Sequence, residues 1–240
     1  MRWIRHYGFA GICVSVSVLA LAFLYIRSSP FSIATAGRAE FGHIIVIDAG
    51  HGGEDGGAVA PDGMPESSLN LSIAHRLNDF LHLLGAETRM LRTDDSALYS
   101  PEAETIAEKK VSDLKNRVKA VNETPEAILI SIHQNMFAEA KYDGLQIFYA
   151  PTESSRLLAE SMQSLFVRAV DPGNHRLAKP ADSVYLMQNI GCTGVLVECG
   201  FLSNENEYNL LRTDIYQKKI AITLANGLCD FRKKVNTNEI

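Results

Sequence analysis

The sequence predicts an α/β domain with a mostly parallel, twisted sheet flanked by helices. Short apolar runs that suit buried strands alternate with longer segments whose apolar residues recur every three or four positions, as in amphipathic helices. This alternation of strand and helix is typical of a mostly parallel sheet. The chain has 240 residues and no evident internal repeat, so we expect a single domain of this class.

The predicted elements follow one another closely along the chain. Ile44–Ile47 form an apolar run that predicts the first strand. The spacing of Leu69, Ile73 and Leu77 predicts a helix that ends at Gly85. Further strands are predicted at 88–91, 127–132, 144–150, 184–187 and 195–197, further helices at 114–121, 154–170 and 215–231, and loops at 93–111 and 171–181.

The first 30 residues are predicted to lie outside the globular domain. Residues 7–26 form a nearly uncharged run, which as a helix would span about 30 Å, the thickness of a bilayer core. An uncleaved membrane anchor fits this length, because a cleaved signal peptide has a shorter apolar core. The small residues Ala34-Thr35-Ala36 keep cleavage open as an alternative. Either interpretation predicts export of the rest of the chain.

Composition sets the remaining boundaries and excludes some partners. We expect a signal anchor or signal peptide at 1–30, a linker at 31–42, the globular domain at 43–232 and a polar tail at 233–240. The net charge of −5 gives no general basic surface, so no nucleic-acid partner is expected. Cys192, Cys199 and Cys229 allow at most one disulfide. The absence of a CxxC spacing argues against zinc ligation by cysteine.

Side chains suited to metal binding and proton transfer follow the predicted strands. Asp48 and His51 come after the first strand, His133 after the strand at 127–132, and Glu198 after the last strand. Glu66 stands just before the first helix. Because the carboxyl ends of parallel strands share one edge of a sheet, where ligands bind, we expect these side chains to lie close together.

Two imidazoles and a carboxylate are a common ligand set for catalytic zinc, which keeps its fourth position for water. His51 and His133 are the candidate imidazole ligands, and Glu66 is a candidate for the carboxylate. Glu54 and Asp55 lie closer to His51 in the sequence, and spacing alone leaves them as rivals to Glu66.

Glu198 is the candidate for a catalytic carboxylate. A carboxylate that follows a fully apolar strand is unfavourable unless it is paired or linked to a metal. Such a group could take a proton from an attacking water molecule and later deliver it to a leaving group. The Gly-rich turn at 50–57 could instead hold a phosphate, but it contains neither GxGxxG nor Gly-Lys-Ser/Thr.

Four segments together resemble a known enzyme family. DAGHGGEDGGA at 48–58, Glu66 ahead of Leu-Asn-Leu, SIHQN at 131–135 and VLVECGFLSNENE at 195–207 occur in the order found in zinc-dependent N-acetylmuramoyl-L-alanine amidases. The resemblance covers about residues 43–231. It implies hydrolysis of the amide that joins the muramic acid of peptidoglycan to the L-alanine of its stem peptide.

The resemblance also implies the roles of individual residues. The Zn²⁺ ligands fall on His51, Glu66 and His133, and the catalytic carboxylate falls on Glu198. This assignment favours Glu66 over Asp55 as the third ligand.

A few neighbouring positions depart from the family or have supporting roles. Ala49 stands where proline is more usual, and Gln134 and Cys199 are unusual residues beside the motif histidine and glutamate. We expect Asp48 or Asn135 to orient a ligand imidazole by a hydrogen bond.

Within the family, the chain most resembles the germination-specific, CwlD-type amidases of endospore-forming bacteria. The segments at 111–118 and 184–189 and the apolar N-terminal segment carry this likeness. It implies a role in forming muramic-δ-lactam in the spore cortex, a location in the spore intermembrane space and membrane attachment through the N-terminal segment. An activating protein partner is left open. The alternatives are a vegetative cell-wall amidase, a zinc peptidase or polysaccharide deacetylase, and a non-catalytic homologue that binds the wall or recruits a partner.

Overall fold

One sheet of six strands organises residues 41–237, the part of the chain that the computed structural model describes. The strands are β1 Ile44–Ala49, β2 Glu87–Met90, β3 Ala127–Asn135, β4 Gln146–Tyr149, β5 Lys179–Pro180 and β6 Thr193–Phe201. Their order across the sheet is β2-β1-β3-β6-β4-β5. All neighbouring pairs are parallel except β6 and β4, which are antiparallel. The predicted α/β domain with a mostly parallel sheet is therefore confirmed.

Helices flank this sheet on both faces. They are α1 Glu66–Leu83, α2 Ile106–Asn122, α3 Glu153–Ala169, α4 Tyr185–Asn189, α5 Glu205–Leu211 and α6 Asp214–Asn236. Helices α1 and α3 both pack against α6, whereas α2 packs against α4. Val46, Leu129 and Leu196 of three neighbouring strands share a core with Val121 of α2 and Met187 of α4.

Side-chain alternation along the strands decides which residues share a face of the sheet. Asp48 follows Val46 by two positions and therefore points toward the α2 face. The strand register pairs Asp48 with Ser131, and His133 with Glu198. All four polar residues thus emerge on the α2 face, at the carboxyl ends of three adjacent parallel strands.

The prediction of a strand at 184–187 is wrong. Val184 is the N-cap of the short helix α4, in which Tyr185, Leu186 and Met187 form the first turn, and this segment does not pair with the sheet. An apolar run of four residues is too short for its periodicity to distinguish a strand from a helix. Leu186 and Met187 are nevertheless buried, as their apolar character requires.

Two further helical segments differ from the predictions. Helix α2 begins inside the predicted loop at 93–111, because Thr105 and Glu108 form a capping box that starts it early. Helix α5 was not predicted, and its first turn is capped by the side chain of Asn204. Both starts depend on local polar residues rather than on apolar periodicity.

The predictions for the N-terminal segment fall on residues 1–40, which lie outside the described residues. Phe41, in the predicted linker, is buried, and the Arg232 guanidinium lies 4.2 Å from its ring. Helix α6 continues to Asn236, into the segment predicted as a polar tail. Among residues 41–237, no helix is both long enough and apolar enough to cross a membrane.

Candidate metal centre

The fold brings His51, Glu66 and His133 together at the carboxyl edge of the sheet. One ligand atom from each residue lies within 4.8 Å of the others. Glu66 bridges the two imidazoles, with Oε2 3.4 Å from Nε2 of His51 and Oε1 3.0 Å from Nδ1 of His133. The two rings meet edge to face, with centroids 5.1 Å apart. Two imidazole nitrogens and one carboxylate oxygen at this separation suit zinc.

Besides the contact with His133, three hydrogen-bond donors hold Glu66 in place. The backbone amides of Ala58 and Gln134 each donate at 3.0 Å, and the Asn70 side chain donates at 3.1 Å. Burial by itself raises the pKa of Glu66. The hydrogen bond from His133 and the other favourable contacts outweigh burial and lower this pKa to about 2. The carboxylate is therefore ionised and ready to bind a cation at neutral pH.

A carboxylate orients the His51 ring from the side opposite Glu66. Nδ1 of His51 lies 3.0 Å from Oδ2 of Asp55, and Lys110 of α2 lies 3.1 Å from the other Asp55 oxygen. Because an ionised carboxylate only accepts hydrogen bonds, Nδ1 is the donor. The lone pair of Nε2 is then directed toward Glu66, as metal ligation requires.

Asp48 and Asn135 are the two residues expected to orient an imidazole, and the structure gives hydrogen bonds for both of them. Asp48 accepts hydrogen bonds from the Arg117 guanidinium and, at 2.7 Å, from the Ser131 hydroxyl. Asn135 is half-buried at the end of β3, where its carbonyl oxygen accepts a hydrogen bond from Leu202. The residue that contacts a ligand imidazole in this way is Asp55, which sequence reasoning considered only as a rival metal ligand.

Glu198 lies beside the candidate ligand cluster, paired with His133 across β3 and β6. Its Oε2 atom is buried and has no hydrogen-bond partner in the described part of the chain. Burial raises the pKa of Glu198 to about 7, with Glu66 acting in the same direction and His133 opposing it. A buried carboxylate oxygen without a partner is unfavourable for stability alone, so the position suits a reactive group.

The sequence model of one family, described as N-acetylmuramoyl-L-alanine amidase (Amidase_3), matches residues 45–230. The chain belongs to this amidase family. The family and enzyme class predicted from the sequence are thereby confirmed.

Several known amidases are similar to this enzyme in sequence or in structure. The germination-specific N-acetylmuramoyl-L-alanine amidase of Bacillus subtilis strain 168 is 36% identical over 200 residues, covering 83% of this chain and 81% of that protein. The CwlD amidase of Clostridioides difficile, solved in complex with the GerS lipoprotein, superposes with a TM-score of 0.77 at 38% identity, covering 80% of this chain and 98% of that one. An N-acetylmuramoyl-L-alanine amidase from Clostridium difficile 630 has a TM-score of 0.69 at 26% identity, covering 80% and 97%.

Two glycines let the backbone of the enzyme approach the ligand side chains closely. A Cβ atom on Gly50 would lie 2.2 Å from the His133 ring. A Cβ atom on Gly57 would lie 2.6 Å from Oε2 of Glu66 and 2.7 Å from Cδ2 of His51. The Gly-rich turn therefore provides the space in which the three candidate ligand side chains converge.

A cavity opens beside His51, on the side of α2. Ala97 and Tyr99 of the preceding loop and Ile106 at the start of α2 form one wall. Glu54, the other sequence-based rival for the metal, binds Lys109 at 2.9 Å on the rim of this cavity. The segment predicted as a loop at 93–111 thus borders the site. Asn70 was missed as a support, although its spacing of four residues from Glu66 on a helix would have revealed a shared face.

We expect Gly50→Ala to lower metal affinity on the order of 100-fold, because the new methyl group would displace the His133 ring. Elemental analysis of the purified protein and zinc titration measure the effect. Gly173→Ala is the matched control, since a Cβ atom there would have its nearest contact at an ordinary 3.5 Å. Wild-type metal content in the Gly50 variant would contradict the proposed packing of His133.

Glu198→Gln should change how the stability of the metal-free enzyme depends on pH. The pKa of Glu198 is raised from 4.5 to about 7 on folding, so the wild type loses stability as pH rises through this window. The neutral glutamine avoids this loss and should be more stable than wild type by on the order of 3 kcal/mol above neutral pH.

Urea unfolding at about pH 4 and about pH 8 would measure this difference, which should nearly vanish at the lower pH. Glu102→Gln changes an exposed glutamate and should follow the wild type at both values. A Glu198→Gln variant whose stability parallels that of the wild type would show that Glu198 is not desolvated.

Proposed function

We propose that this enzyme is a zinc-dependent hydrolase that cleaves the amide between N-acetylmuramic acid and L-alanine in peptidoglycan. The observation that carries this proposal is the convergence of His51, Glu66 and His133 within 4.8 Å, next to the unpartnered carboxylate of Glu198. Membership of the amidase family supports the substrate.

Each residue of the cluster has a role that follows from its chemistry. His51, Glu66 and His133 would hold the zinc. When bound, Zn²⁺ supplies a Lewis acid that polarises the scissile carbonyl and acidifies a water molecule. Glu198 orients the attacking water, accepts its proton and delivers that proton to the leaving amine of L-alanine. A pKa near neutrality suits a group that must first accept and then return a proton.

We further propose that Asp55 orients the imidazole of His51. Its 3.0 Å contact with Nδ1 of His51 supports this role. Asp48 instead compensates the charge of buried Arg117 beneath the site. The role of Asn135 at the end of β3 remains a prediction.

The biological setting that we propose is the spore cortex. Identity of 36% with a germination-specific amidase and of 38% with a CwlD amidase supports a part in forming muramic-δ-lactam. That CwlD amidase was solved with a lipoprotein, which supports an activating protein partner for this enzyme as well. We propose an extracytoplasmic location in the spore intermembrane space, with the N-terminal segment attaching the enzyme to a membrane.

Digestion of purified peptidoglycan should release peptides with a free L-alanine amino terminus, detected by mass spectrometry. Glu198→Gln should keep its zinc and lose on the order of 10²- to 10⁴-fold in rate, because the water would lack its base. Release of acetate instead of peptide would identify a deacetylase. A fully active Glu198→Gln variant would refute the assigned role of this carboxylate.

Three further experiments separate the parts of this proposal. A chelator should abolish the reaction, and added Zn²⁺ should restore it. Glu66→Ala should lose its zinc, and full retention would place the third ligand elsewhere. In sporulating cells that carry Glu198→Gln, the cortex should lack muramic-δ-lactam. A normal cortex with an altered vegetative wall would favour the vegetative alternative.

Asp55→Asn should weaken zinc binding by about 10- to 100-fold, because the neutral amide supports the His51 tautomer less strongly than a carboxylate does. Competition against a fluorescent zinc chelator would measure the dissociation constant. Glu54→Gln is the matched control on the same turn, since within residues 41–237 the ion pair of Glu54 is with Lys109 on the rim, and its variant should bind zinc normally. Equal weakening in both variants would point to a general charge effect instead of orientation.

A further inference from the structure

Two buried arginines hold the turn that carries His51. The consecutive carbonyl oxygens of Ala49, Gly50 and His51 each accept a hydrogen bond from a guanidinium group. The donors are Arg92, which follows β2, and Arg117 of α2, and their exposed fractions are only 3% and 2%. Neither residue takes part in the reaction steps proposed above.

The hydrogen bonds of Arg92 differ from those of an ordinary buried ion pair. Nε donates to Ala49 at 2.8 Å, and Nη2 donates to Gly50 at 3.1 Å and to Ser67 at 2.8 Å. Nη1 donates to the carbonyl of Asp94 at 2.8 Å. Within residues 41–237, every hydrogen-bond acceptor of Arg92 is therefore a backbone carbonyl. Burial of a guanidinium group is unfavourable. Neutral donors or water would satisfy such carbonyls at a lower free-energy cost.

The carbonyls that Arg92 joins lie beside all three candidate metal ligands. Gly50 precedes His51, and its backbone packs directly against the ring of His133. Ser67 follows Glu66 in the first turn of α1. One planar guanidinium group thus connects the turn after β1 with the start of α1, where the Asn70 side chain also donates to the Gly50 carbonyl at 3.1 Å.

The turn needs such external support because its conformation is unfavourable. His51 has a φ of 61°, a value in the left-handed region that non-glycine residues rarely adopt. A conformation of this kind persists only when surrounding contacts determine it. The direction of the His51 imidazole follows from this backbone conformation, so a relaxed turn would move one metal ligand.

We propose that Arg92 is a positioning residue for metal binding and hydrolysis, which locks the Ala49–His51 turn against Ser67. The rigid fork of arginine suits this role, because a lysine ammonium cannot span the same carbonyls in fixed directions. Arg117 supports the turn from α2 while paired with Asp48. The inference rests on the proposed metal site.

The test compares Arg92→Lys and Arg92→Met with the wild-type enzyme after removal of metal. Both variants should unfold cooperatively, yet their dissociation constants for Zn²⁺ should rise by about 10- to 100-fold. The visible absorption of bound Co²⁺ should change, because it reports the arrangement of the ligands. Lysine should not rescue the wild-type values, since it keeps the charge and loses the fork.

Arg89 provides the matched control. It is an exposed arginine of β2 that donates to the Ala120 carbonyl at 3.2 Å and to the Thr124 hydroxyl at 2.7 Å, on the α2 side of the sheet. Arg89→Lys and Arg89→Met should keep the wild-type Zn²⁺ affinity and Co²⁺ spectrum. Folded Arg92 variants that match the wild type in both readouts would overturn the proposal, since a merely structural arginine would alter stability alone.

The same titrations distinguish this inference from the proposed function. If the wild type bound Zn²⁺ no more tightly than its His51→Ala variant, the metal site itself would be refuted, and the role of Arg92 with it. If neither Arg92 variant folds, the proposal is tested in the wild type by NMR, which measures how fast the Arg92 Nε proton exchanges with solvent. Slow exchange of this proton, both with and without Zn²⁺, would support the positioning role of Arg92. Exchange as fast as that of the exposed Arg89 would overturn it.

Discussion

The carboxylate of Glu66 joins parts of the chain that are far apart in sequence. It accepts hydrogen bonds from the backbone of Ala58 before α1, from the backbone of Gln134 in β3 and from Asn70 within α1, while contacting both imidazoles. A buried carboxylate that lacked these partners would destabilise the fold by several kcal/mol. The carboxylate is satisfied only when α1, β3 and the turn after β1 assemble together, so the fold and the site depend on the same contacts.

The position of the site could be predicted because it follows from strand ends. His51, His133 and Glu198 come after apolar runs, and parallel pairing brings the ends of such runs to one edge. Alternation then places His133 and Glu198 on the same face of the sheet. A short apolar run carries less information, which is why the helix at 185–189 was mistaken for a strand.

The supports of the site were harder to predict because they depend on turn geometry and long-range contacts. Asp55 contacts the His51 ring within a turn where the backbone of His51 adopts a left-handed conformation, which a histidine in sequence does not reveal. Arg92 and Arg117 follow or lie within polar segments that suggest solvent exposure. Arg92 donates to backbone carbonyls, and Arg117 donates to the carbonyls of Ala49 and His51 as well as to the carboxylates of Asp48 and Asp113. Every residue possesses a backbone carbonyl, so no sequence pattern marks those partners in the turn.

Most buried polar side chains around the site have hydrogen-bond partners, and within residues 41–237 the buried side-chain oxygens without one are Oε1 of Gln134 and Oε2 of Glu198. Asp48 is paired with Arg117 and Ser131, Glu66 has three donors, and the guanidinium of Arg92 is occupied by carbonyls. Among the carboxylates of residues 41–237, only Glu198 has a buried oxygen without a hydrogen-bond partner. Side chains whose hydrogen-bonding groups all have partners resist reorganisation. Preorganised catalysis requires this property of the residues around an active site. In the proposed mechanism, this oxygen of Glu198 is free to bind the proton that is transferred, because it has no other partner beside His133.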